Sequence, residues 1–525
     1  MSRDSGLGAR YAGVRRWMWL VASIAAGVPL VGATGAGTRL VDAAKDGNFA
    51  TVKALIAQKA DVNVAEADGM TALHWAVRAN DMPTVQALIR AGAKVNAANR
   101  YGMTPIILAA QNGDPLLLAA LLKAGANPNS TLPEGQTALM TAARTGNVES
   151  IKMLAETGAK IDAKEEWQGQ TALMWAASQN NAAAVRTLID LGADKNERSK
   201  LLSFAEFKFE TSGMAITVLP RGGWTPLMYA ARDGAIDSVR TLAEAKAELN
   251  ASDPDGTTAL MYAILNAHFD TAAILIDKGA DPNVADITGT TALYAAVDMH
   301  TLGPMLSRPS PKLVDKLDAA DIAKLLIDHG ADVNARLKRP ILGRHHLPTG
   351  DASLGEGTTA LARAAKSNDL QLMRMLLDAG ADPKLTLKDR TTPLMIAAAG
   401  GAVVGAYAIA IPVTEDSSIE AIKLCLERGV DVNAFNTSGT TALHSAVQRG
   451  AEKVVRYLAD HGAKLDMKNK QGRMPIDIAM GVGAGSGRGG AAGGRGRGGA
   501  GRESMVELLR SLMARGPAPG AAAQQ

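Results

Sequence analysis

Apolar and small residues return along this chain in blocks whose spacing is mostly 33 residues. Each block starts at a threonine, continues through Ala-Leu or Pro-Leu, and is followed by a second apolar stretch. After Thr71, residues 72–76 pattern one short helix, while Val85, Leu88 and Ile89 pattern a second. The threonines that mark the blocks are Thr71, Thr104, Thr137, Thr171, Thr225, Thr258, Thr291, Thr359, Thr392 and Thr441.

Two degenerate blocks keep the same phase, Thr38-Arg39-Leu40 upstream and Met474-Pro475-Ile476 downstream. The chain therefore holds about twelve copies of one helix-turn-helix unit. A period in this range predicts an all-α solenoid in which each unit packs mainly on its neighbours. Such a solenoid presents a long surface and usually carries no chemistry of its own.

Local signals support both helices of each unit. The threonine stands where its hydroxyl can accept from the free amides of a first turn. A glycine follows the second helix in most copies, as at Gly92 and Gly125, and suits a left-handed closing residue. Lys59 and Lys246 replace this glycine, which should weaken those helix ends by about 1 kcal/mol each.

These residues resemble the ankyrin repeat, whose pattern is Gly-x-Thr-Pro/Ala-Leu-x-x-Ala-Ala and later Gly-Ala-Asp-x-Asn. Residues 279–283 and 330–334 match the second half nearly residue for residue, and the resemblance covers roughly residues 38–515. Five copies carry Met where the family favours His, as at Met140, and His remains at His74 and His444. The resemblance implies a scaffold that binds another protein through its concave face.

By the same resemblance, the contact residues lie at two places in each repeat. One is the finger, the loop that joins two repeats and contains the glycine two residues before the block threonine. The other is the end of each first helix. Side chains of Arg, Tyr and Trp dominate binding energy when they lie in an interface. Solvated arginines with partly packed tryptophans are the alternative interpretation. The predicted protein-binding residues are Arg100, Tyr101, Trp167, Gln168, Arg221 and Trp224 in the fingers, and Arg78, Gln111, Arg144, Gln179 and Arg232 at the helix ends.

The N-terminal segment differs from the repeats. Four arginines precede an apolar run at residues 17–31, and Val31-Gly32-Ala33 supplies small residues for cleavage. This is the layout of a secretory signal peptide, so residues 1–33 are expected to be removed and the protein exported to the periplasm or beyond. An uncleaved signal anchor is the alternative, although the run is shorter than the ~20 residues that a membrane span needs.

The solenoid is expected at residues 34–515, followed by a disordered tail at 516–525. Five insertions interrupt it, at about residues 197–221, 299–320, 337–355, 400–416 and 481–501. Residues 204–219 alternate around a Gly-containing turn and predict a β-hairpin that lengthens one finger. The last insertion is almost pure Gly, Ala and Arg, which predicts a disordered loop.

Composition adds little chemistry. Apolar residues make up 47% of the chain and aromatic residues 4%, which fits many small contacts. The single cysteine, Cys425, excludes an internal disulfide and is expected to be buried. No phosphate loop, metal-binding pattern or nucleophile motif is present, so we expect no cofactor, no metal and no catalysis.

The expected function is therefore a monomeric, exported scaffold that binds another protein. Without residues 1–33 the chain would have 52 basic and 51 acidic residues, a balance that does not indicate nucleic acid. The alternatives are a membrane-anchored scaffold and, with less support, an enzyme or an RNA-binding protein. The Arg-Gly-Gly pieces near Arg495 suggest RNA, but they lack interleaved aromatic residues.

Overall fold

The computed structural model describes residues 36–201, 222–301, 315–339, 354–400, 413–481 and 499–515. The predicted signal peptide, the hairpin at 204–219 and the tail at 516–525 lie outside the described residues, as do residues 302–314, 340–353, 401–412 and 482–498 of the other insertions.

The chain divides into two compact units, residues 1–93 and 94–525. The first unit contains α1 (Ala36–Lys45), α2 (Phe49–Ala57), α3 (Ala72–Arg78) and α4 (Met82–Arg90). The second unit contains α5 (Pro105–Asn112), α6 (Pro115–Lys123), α7 (Ala138–Thr145), α8 (Val148–Glu156), α9 (Ala172–Ser178), α10 (Ala182–Asp190), α11 (Pro226–Arg232), α12 (Ile236–Glu244), α13 (Ala259–Leu265), α14 (Phe269–Asp277), α15 (Ala292–Thr301), α16 (Ala319–Asp328), α17 (Ala360–Lys366), α18 (Leu370–Asp378), α19 (Pro393–Ala399), α20 (Glu415–Glu427), α21 (Ala442–Arg449), α22 (Glu452–Asp460), α23 (Pro475–Ala479) and α24 (Gly499–Arg515).

The described helices form twelve pairs, and this confirms the predicted helix-turn-helix repeat. In each unit, an odd-numbered first helix packs on the second helix that follows it and on the next first helix. Antiparallel strand pairing in the described residues is limited to isolated bridges at the base of fingers, such as Thr131 with Thr137 and Ser252 with Thr258.

Small side chains let the first helices approach one another closely. Ala142, Ala143, Ala176, Ala177 and Ala230 are completely buried in the row of first helices. The second helices contribute larger side chains on one face only, since each is exposed on its other face. The core is therefore a continuous thin layer between the two rows of helices in the second unit.

Threonine fixes the start of most first helices, as the sequence predicts. The hydroxyl accepts from the N–H three residues later at Thr71, Thr137, Thr171, Thr225, Thr258, Thr291, Thr359, Thr392 and Thr441. Thr104 precedes Pro105, and its buried hydroxyl has no hydrogen-bond partner in the described residues. Thr38 departs from the pattern, because α1 begins at Ala36 and contains it.

The His and Met variants of the repeat use the same contact. The hydroxyl of Thr71 lies 2.8 Å from Nδ1 of the buried His74, and Thr441 and His444 repeat this pair. In the α7 repeat, Sδ of Met140 accepts from the N–H of Thr137 at 3.5 Å. A thioether is a weaker acceptor than an imidazole nitrogen, so methionine preserves the geometry with less hydrogen-bond energy.

The residue that closes the second helix has a left-handed backbone in most repeats. Gly158 has φ +94° and an added Cβ would meet nothing within 4 Å, so only its dihedral requires glycine. Lys59 and Lys246 hold the same place with φ +60°. These two lysines therefore adopt the strained conformation that the sequence predicts.

Lys246→Gly is expected to stabilise the fold by about 1 kcal/mol because it removes the left-handed strain without removing a packed side chain. Gly158→Lys is the reciprocal variant and should destabilise by a similar amount. Urea denaturation followed by circular dichroism measures both. An unchanged urea midpoint for Lys246→Gly would contradict the explanation.

Asparagine side chains form a ladder between successive repeats. Nδ2 of Asn129 donates to the carbonyl of Gly158 at 2.9 Å, and its Oδ1 accepts from the N–H of Lys160 at 2.8 Å. The same two bonds recur at Asn283, Asn334 and Asn433. Each rung therefore satisfies a carbonyl at the end of a second helix and an amide just beyond it.

Two positions in the ladder lack asparagine. Lys384 occupies one, and Asp162 occupies another and accepts from the N–H of Asp194 at 3.2 Å. A carboxylate has no hydrogen to donate to the carbonyl of Gly192. Burial raises the pKa of Asp162 above its ordinary value, and Asp194 and Glu197 add to the shift while the N–H of Asp194 opposes it.

Asp162→Asn is expected to stabilise the fold at pH 7 by about 1 kcal/mol, since the amide can make both bonds of a rung. Because the pKa of Asp162 is raised in the folded state, its contribution is fully present below the unfolded pKa of about 4 and is lost as pH rises. The gain from Asp162→Asn should therefore shrink at pH 4. Paired urea titrations at both pH values test this, and an equal gain at both would count against it.

Main-chain hydrogen bonds join the tips of the fingers into a second ladder. Each bond runs from an N–H of one finger to a carbonyl of the preceding finger. The pairs are Glu166 to Glu134, Lys200 to Gln168, Ile287 to Asp255, Lys338 to Thr288, Lys388 to Glu356, Thr437 to Asp389 and Lys470 to Ser438, at 2.7–2.9 Å.

Arginine clamps the two fingers that carry insertions. Nη1 of Arg198 donates to the carbonyls of Gly223 and Ser252, so it spans residues 202–221 and reaches the next finger. Arg336 makes the equivalent bonds to the carbonyls of Gly357 and Thr386 around residues 340–353. Both arginines thus hold the stem of an extended finger in register with its neighbour.

The other insertions lie between the helices of a pair. The helices extend further than the predicted bounds of 299–320 and 400–416, because α15 ends at Thr301 and α20 begins at Glu415. The Gly-rich insertion was predicted to end at about residue 501, but α24 begins at Gly499. None of the described helices is long and apolar enough to span a membrane.

A buried polar link ties α15 to α17 and α18. Nε of Arg363, which is 2% exposed, lies 2.5 Å from Oδ1 of Asp298. Nδ1 of His300 lies 2.5 Å from Oδ2 of Asp369, and this hydrogen bond raises the pKa of His300 above its ordinary value.

Candidate protein-binding surface

The finger at residues 99–103 holds an exposed aromatic side chain on a fixed backbone. Oδ1 of Asn99 accepts from the N–H groups of Tyr101 and Met103, both at 2.9 Å, and Gly102 turns the chain with φ +72°. Tyr101 is 57% exposed, and the guanidinium of Arg100 lies 4.7 Å from its ring centroid. The tip therefore presents a cation and a phenol together.

The finger at residues 165–170 is built in the same way with glutamate. The carboxylate of Glu165, which is buried, accepts from the N–H groups of Trp167, Gln168 and Gln170 at 2.7–2.8 Å. Trp167 is 71% exposed. A large apolar side chain on a preorganised turn costs little conformational entropy when it binds a partner.

In the first unit, Trp75 carries two cations on its ring. Nζ of Lys45 and the guanidinium carbon of Arg78 lie 4.7 Å and 5.3 Å from the ring centroid. Nε1 of Trp75 donates to Glu66 at 2.8 Å, and Glu66 also pairs with Lys45. Arg78 is exposed at the end of α3.

In the second unit, the equivalent position on α9 is Trp175. The guanidinium of Arg144, at the end of α7, lies 5.3 Å from its ring centroid. Arg144 is exposed, whereas Nε1 of Trp175 is buried and has no hydrogen-bond partner in the described residues. The ring thus supports a charge that stays accessible, as in other cation–π pairs at protein surfaces.

A larger aromatic cluster follows on α11 and α13. The ring of Trp224 lies 5.3 Å from Tyr229 and 4.8 Å from Tyr262. The hydroxyl of Tyr262 donates to Asp253 at 2.6 Å, so its polar end is satisfied. Arg232 covers the cluster, with its guanidinium 5.1 Å from Trp224 and 5.2 Å from Tyr229.

Arg232 is held in a fixed charge state by its neighbour. It donates to both carboxylate oxygens of Asp233, at 2.8 and 2.7 Å. Burial by itself would lower the pKa of Arg232, but the hydrogen bonds to Asp233 and the nearby charges leave it raised. The positive charge of Arg232 is therefore largely neutralised by Asp233 within the protein.

The structure separates the predicted contact residues into two groups. Trp224, Gln168 and Arg232 are partly buried, and the first and last of these belong to the aromatic cluster. Arg221 lies outside the described residues. The exposed predicted residues are Arg78 in the first unit and Arg100, Tyr101, Gln111, Arg144, Trp167 and Gln179 in the second.

Sequence reasoning missed the residues that set the finger geometry. Asn99, Glu165, Asp253, Asp286 and Asn436 each accept from main-chain N–H groups of their own finger. Their signal is an acidic or amide residue three residues before the finger glycine, or four residues before it at Glu165. That signal was available, since a short polar side chain at this place bonds its own turn.

The described residues offer no reactive centre. They contain no group of three or more His, Cys, Asp or Glu side chains that could hold a metal ion. Cys425 is fully buried, as predicted, and burial raises its pKa to about 12. A thiol in that state does not ionise at neutral pH and is a poor nucleophile.

Stacked helix pairs, with fingers that bond to one another through the main chain, are the architecture of a repeat protein. A family model described as "Ankyrin repeats (3 copies)" matches residues 40–131, 108–199, 211–286, 252–337 and 361–470. These matches cover well over half of the chain, so the chain belongs to the ankyrin repeat family.

Related proteins share only the repeats. The chain is 34% identical over 120 residues to "Ankyrin repeat and KH domain-containing protein mask" of Drosophila melanogaster, covering 22% of this chain and 3% of that protein. It is 33% identical over 125 residues to the B-cell lymphoma 3 protein homolog of Mus musculus, covering 24% of each. It is 30% identical over 182 residues to the mitochondrial disaggregase of Bos taurus, covering 33% and 22%.

The aligned part is thus less than a quarter of each of these relatives. Ankyrin repeats generally mediate protein–protein interaction.

Proposed function

We propose that this protein is a non-catalytic scaffold that binds another protein through the fingers and first-helix ends of the second unit. The observation that carries the proposal is the pair of exposed aromatic side chains, Tyr101 and Trp167, on turns whose backbone is fixed by Asn99 and Glu165. Exposed aromatics on rigid turns are the residues that most often dominate binding energy. Arg144, held over Trp175, adds an accessible charge at a first-helix end of the same unit.

The double variant Tyr101→Ala/Trp167→Ala is expected to weaken partner binding by at least about tenfold, because each ring buries a large apolar surface in a complex. Native partners are first captured on the wild-type protein and identified by mass spectrometry. Affinities of the purified pair are then measured for wild type and variant by biolayer interferometry.

A matched control is Leu116→Ala/Met513→Ala, which removes exposed apolar side chains outside the fingers. It should leave the affinity unchanged, and circular dichroism should show the same helical content for all variants. Unaltered affinity of the Tyr101→Ala/Trp167→Ala protein, with loss on deletion of residues 204–219, would assign recognition to that insertion instead.

We also propose that the protein acts outside the cytoplasm. The basic start, the apolar run at residues 17–31 and the small residues 31–33 support this. The alternative is a scaffold that keeps this segment as a membrane anchor.

Cleavage near Ala33 is expected, and intact-mass spectrometry of the protein from fractionated cells would show a chain that begins shortly after residue 33. A chain that keeps residues 17–31 and sediments with membranes would contradict cleavage and favour the anchored scaffold. A cytosolic chain of full mass would exclude both.

A further inference from the structure

A separate surface lies at the tips of three consecutive fingers in the last part of the second unit. The N–H of Thr437 donates to the carbonyl of Asp389 at 2.7 Å, and the N–H of Lys470 donates to the carbonyl of Ser438 at 2.9 Å. These bonds hold the three tips side by side. We call this the basic tip surface and define it by Lys388, Arg390, Phe435, Lys468 and Lys470, all of which are exposed.

The charge of this surface is concentrated. The whole chain has a formal net charge of +4, and the basic tip surface alone contains four cations. Its nearby acids are engaged, since Glu356 pairs with Lys388 at 2.6 Å and the carboxylate of Asp389 accepts from the N–H and the hydroxyl of Thr391. Arg390, Lys468 and Lys470 form no ion pair with an acid in the described part of the chain.

Earlier fingers lack such a group of cations. The tips at residues 253–257 and 286–290 contain no lysine or arginine, and their Asp253, Asp255 and Asp286 are buried. The exposed positive charge is therefore a feature of these three tips rather than of every finger. An exposed charged patch selects a partner of opposite charge and speeds its association.

Phe435 gives the basic tip surface an apolar centre. Its side chain is 47% exposed, and its backbone is fixed by an antiparallel bridge to Thr441. The guanidinium of Arg390 lies 5.5 Å from the ring centroid. An exposed apolar ring thus lies next to a positive charge.

Arg390 is strained in a way that points to a role. It stands where other fingers have the glycine of the turn, such as Gly102, Gly256 and Gly439, and it has φ +69°. A left-handed arginine costs stability that glycine would not. Strain of this kind occurs at functional positions, although Lys59 and Lys246 show that this chain also retains it at helix ends. At Arg390 it accompanies a guanidinium placed over Phe435.

We propose that the basic tip surface binds an acidic, extended segment of another protein, with carboxylates on Lys388, Arg390, Lys468 and Lys470 and an apolar side chain against Phe435. Single-stranded nucleic acid would need several aromatic rings for base stacking, and this surface has one. The proposal rests on the proposed function, since it too has the fingers bind a protein. It shares no residue with the surface of Tyr101 and Trp167, so failure of one surface in its test is distinguishable from failure of the other.

The test uses the full chain and a fluorescein-labelled 12-residue peptide of eight glutamates and four leucines. Fluorescence anisotropy at low salt should show saturable binding that weakens as salt rises. A peptide with glutamine in place of every glutamate should bind at least tenfold more weakly. A 12-nucleotide oligothymidine serves as the nucleic-acid probe.

The triple variant Lys388→Glu/Lys468→Glu/Lys470→Glu should weaken binding of the acidic peptide by at least tenfold. The control Lys123→Glu/Lys152→Glu/Lys160→Glu makes the same change in net charge at exposed lysines elsewhere and should change the affinity less than twofold. Equal losses in both variants would reduce the effect to net charge and overturn the proposal.

Arg390→Gly separates recognition from stability. This variant should raise the urea midpoint, because it relieves the left-handed strain, and should weaken peptide binding at least threefold. A more stable variant with unchanged affinity would overturn the role of Arg390. Absence of peptide binding to wild type, or tighter binding of oligothymidine that is lost in the same triple variant, would overturn the acidic-peptide proposal.

Discussion

Each helix pair can bury its apolar face only against the pairs on either side of it, and the rest of the structure depends on this constraint. A single pair is too small to form a core. The alanines of the first helices, such as Ala142 and Ala176, are completely buried because neighbouring first helices meet there. The constraint also explains the regular period, since each unit must present matching faces to the units on both sides of it.

The two hydrogen-bond ladders fix how each repeat is placed on the next, which apolar burial alone does not do. Hydrophobic contact is non-directional, so it does not by itself fix the register of one repeat on the next. The asparagine rungs and the main-chain bonds between fingers supply direction in most of the described repeats. Where the fingers carry insertions, Arg198 and Arg336 maintain that register with their guanidinium groups.

The parts of the fold that depend on local chemistry could be predicted from the sequence. Threonine caps and closing glycines act within one turn, and the structure shows them where the pattern places them. Thr38 was wrong as a helix start because the finger glycine two residues earlier, present at Gly69 and Gly102, is replaced there by Ala36, which is helical.

The surfaces were harder to predict because they combine residues from different repeats. Trp224 was predicted as an accessible contact residue, but it packs on Tyr262 of the next repeat. The basic tip surface combines Arg390, Phe435 and Lys470, which lie far apart in the sequence. Acidic residues near the two cations in the sequence mask this clustering of positive charge. The bonds between fingers bring the three residues together.

The span of the ladder bonds bears on how such a chain folds. The rungs from Asn96 and Asn129 join residues 29–31 positions apart, and this span does not grow with the number of repeats. Relative contact order therefore falls as repeats are added, and low contact order accompanies fast folding. Each repeat can dock on its predecessor as soon as it is synthesised, so duplication lengthens the protein without lengthening its conformational search.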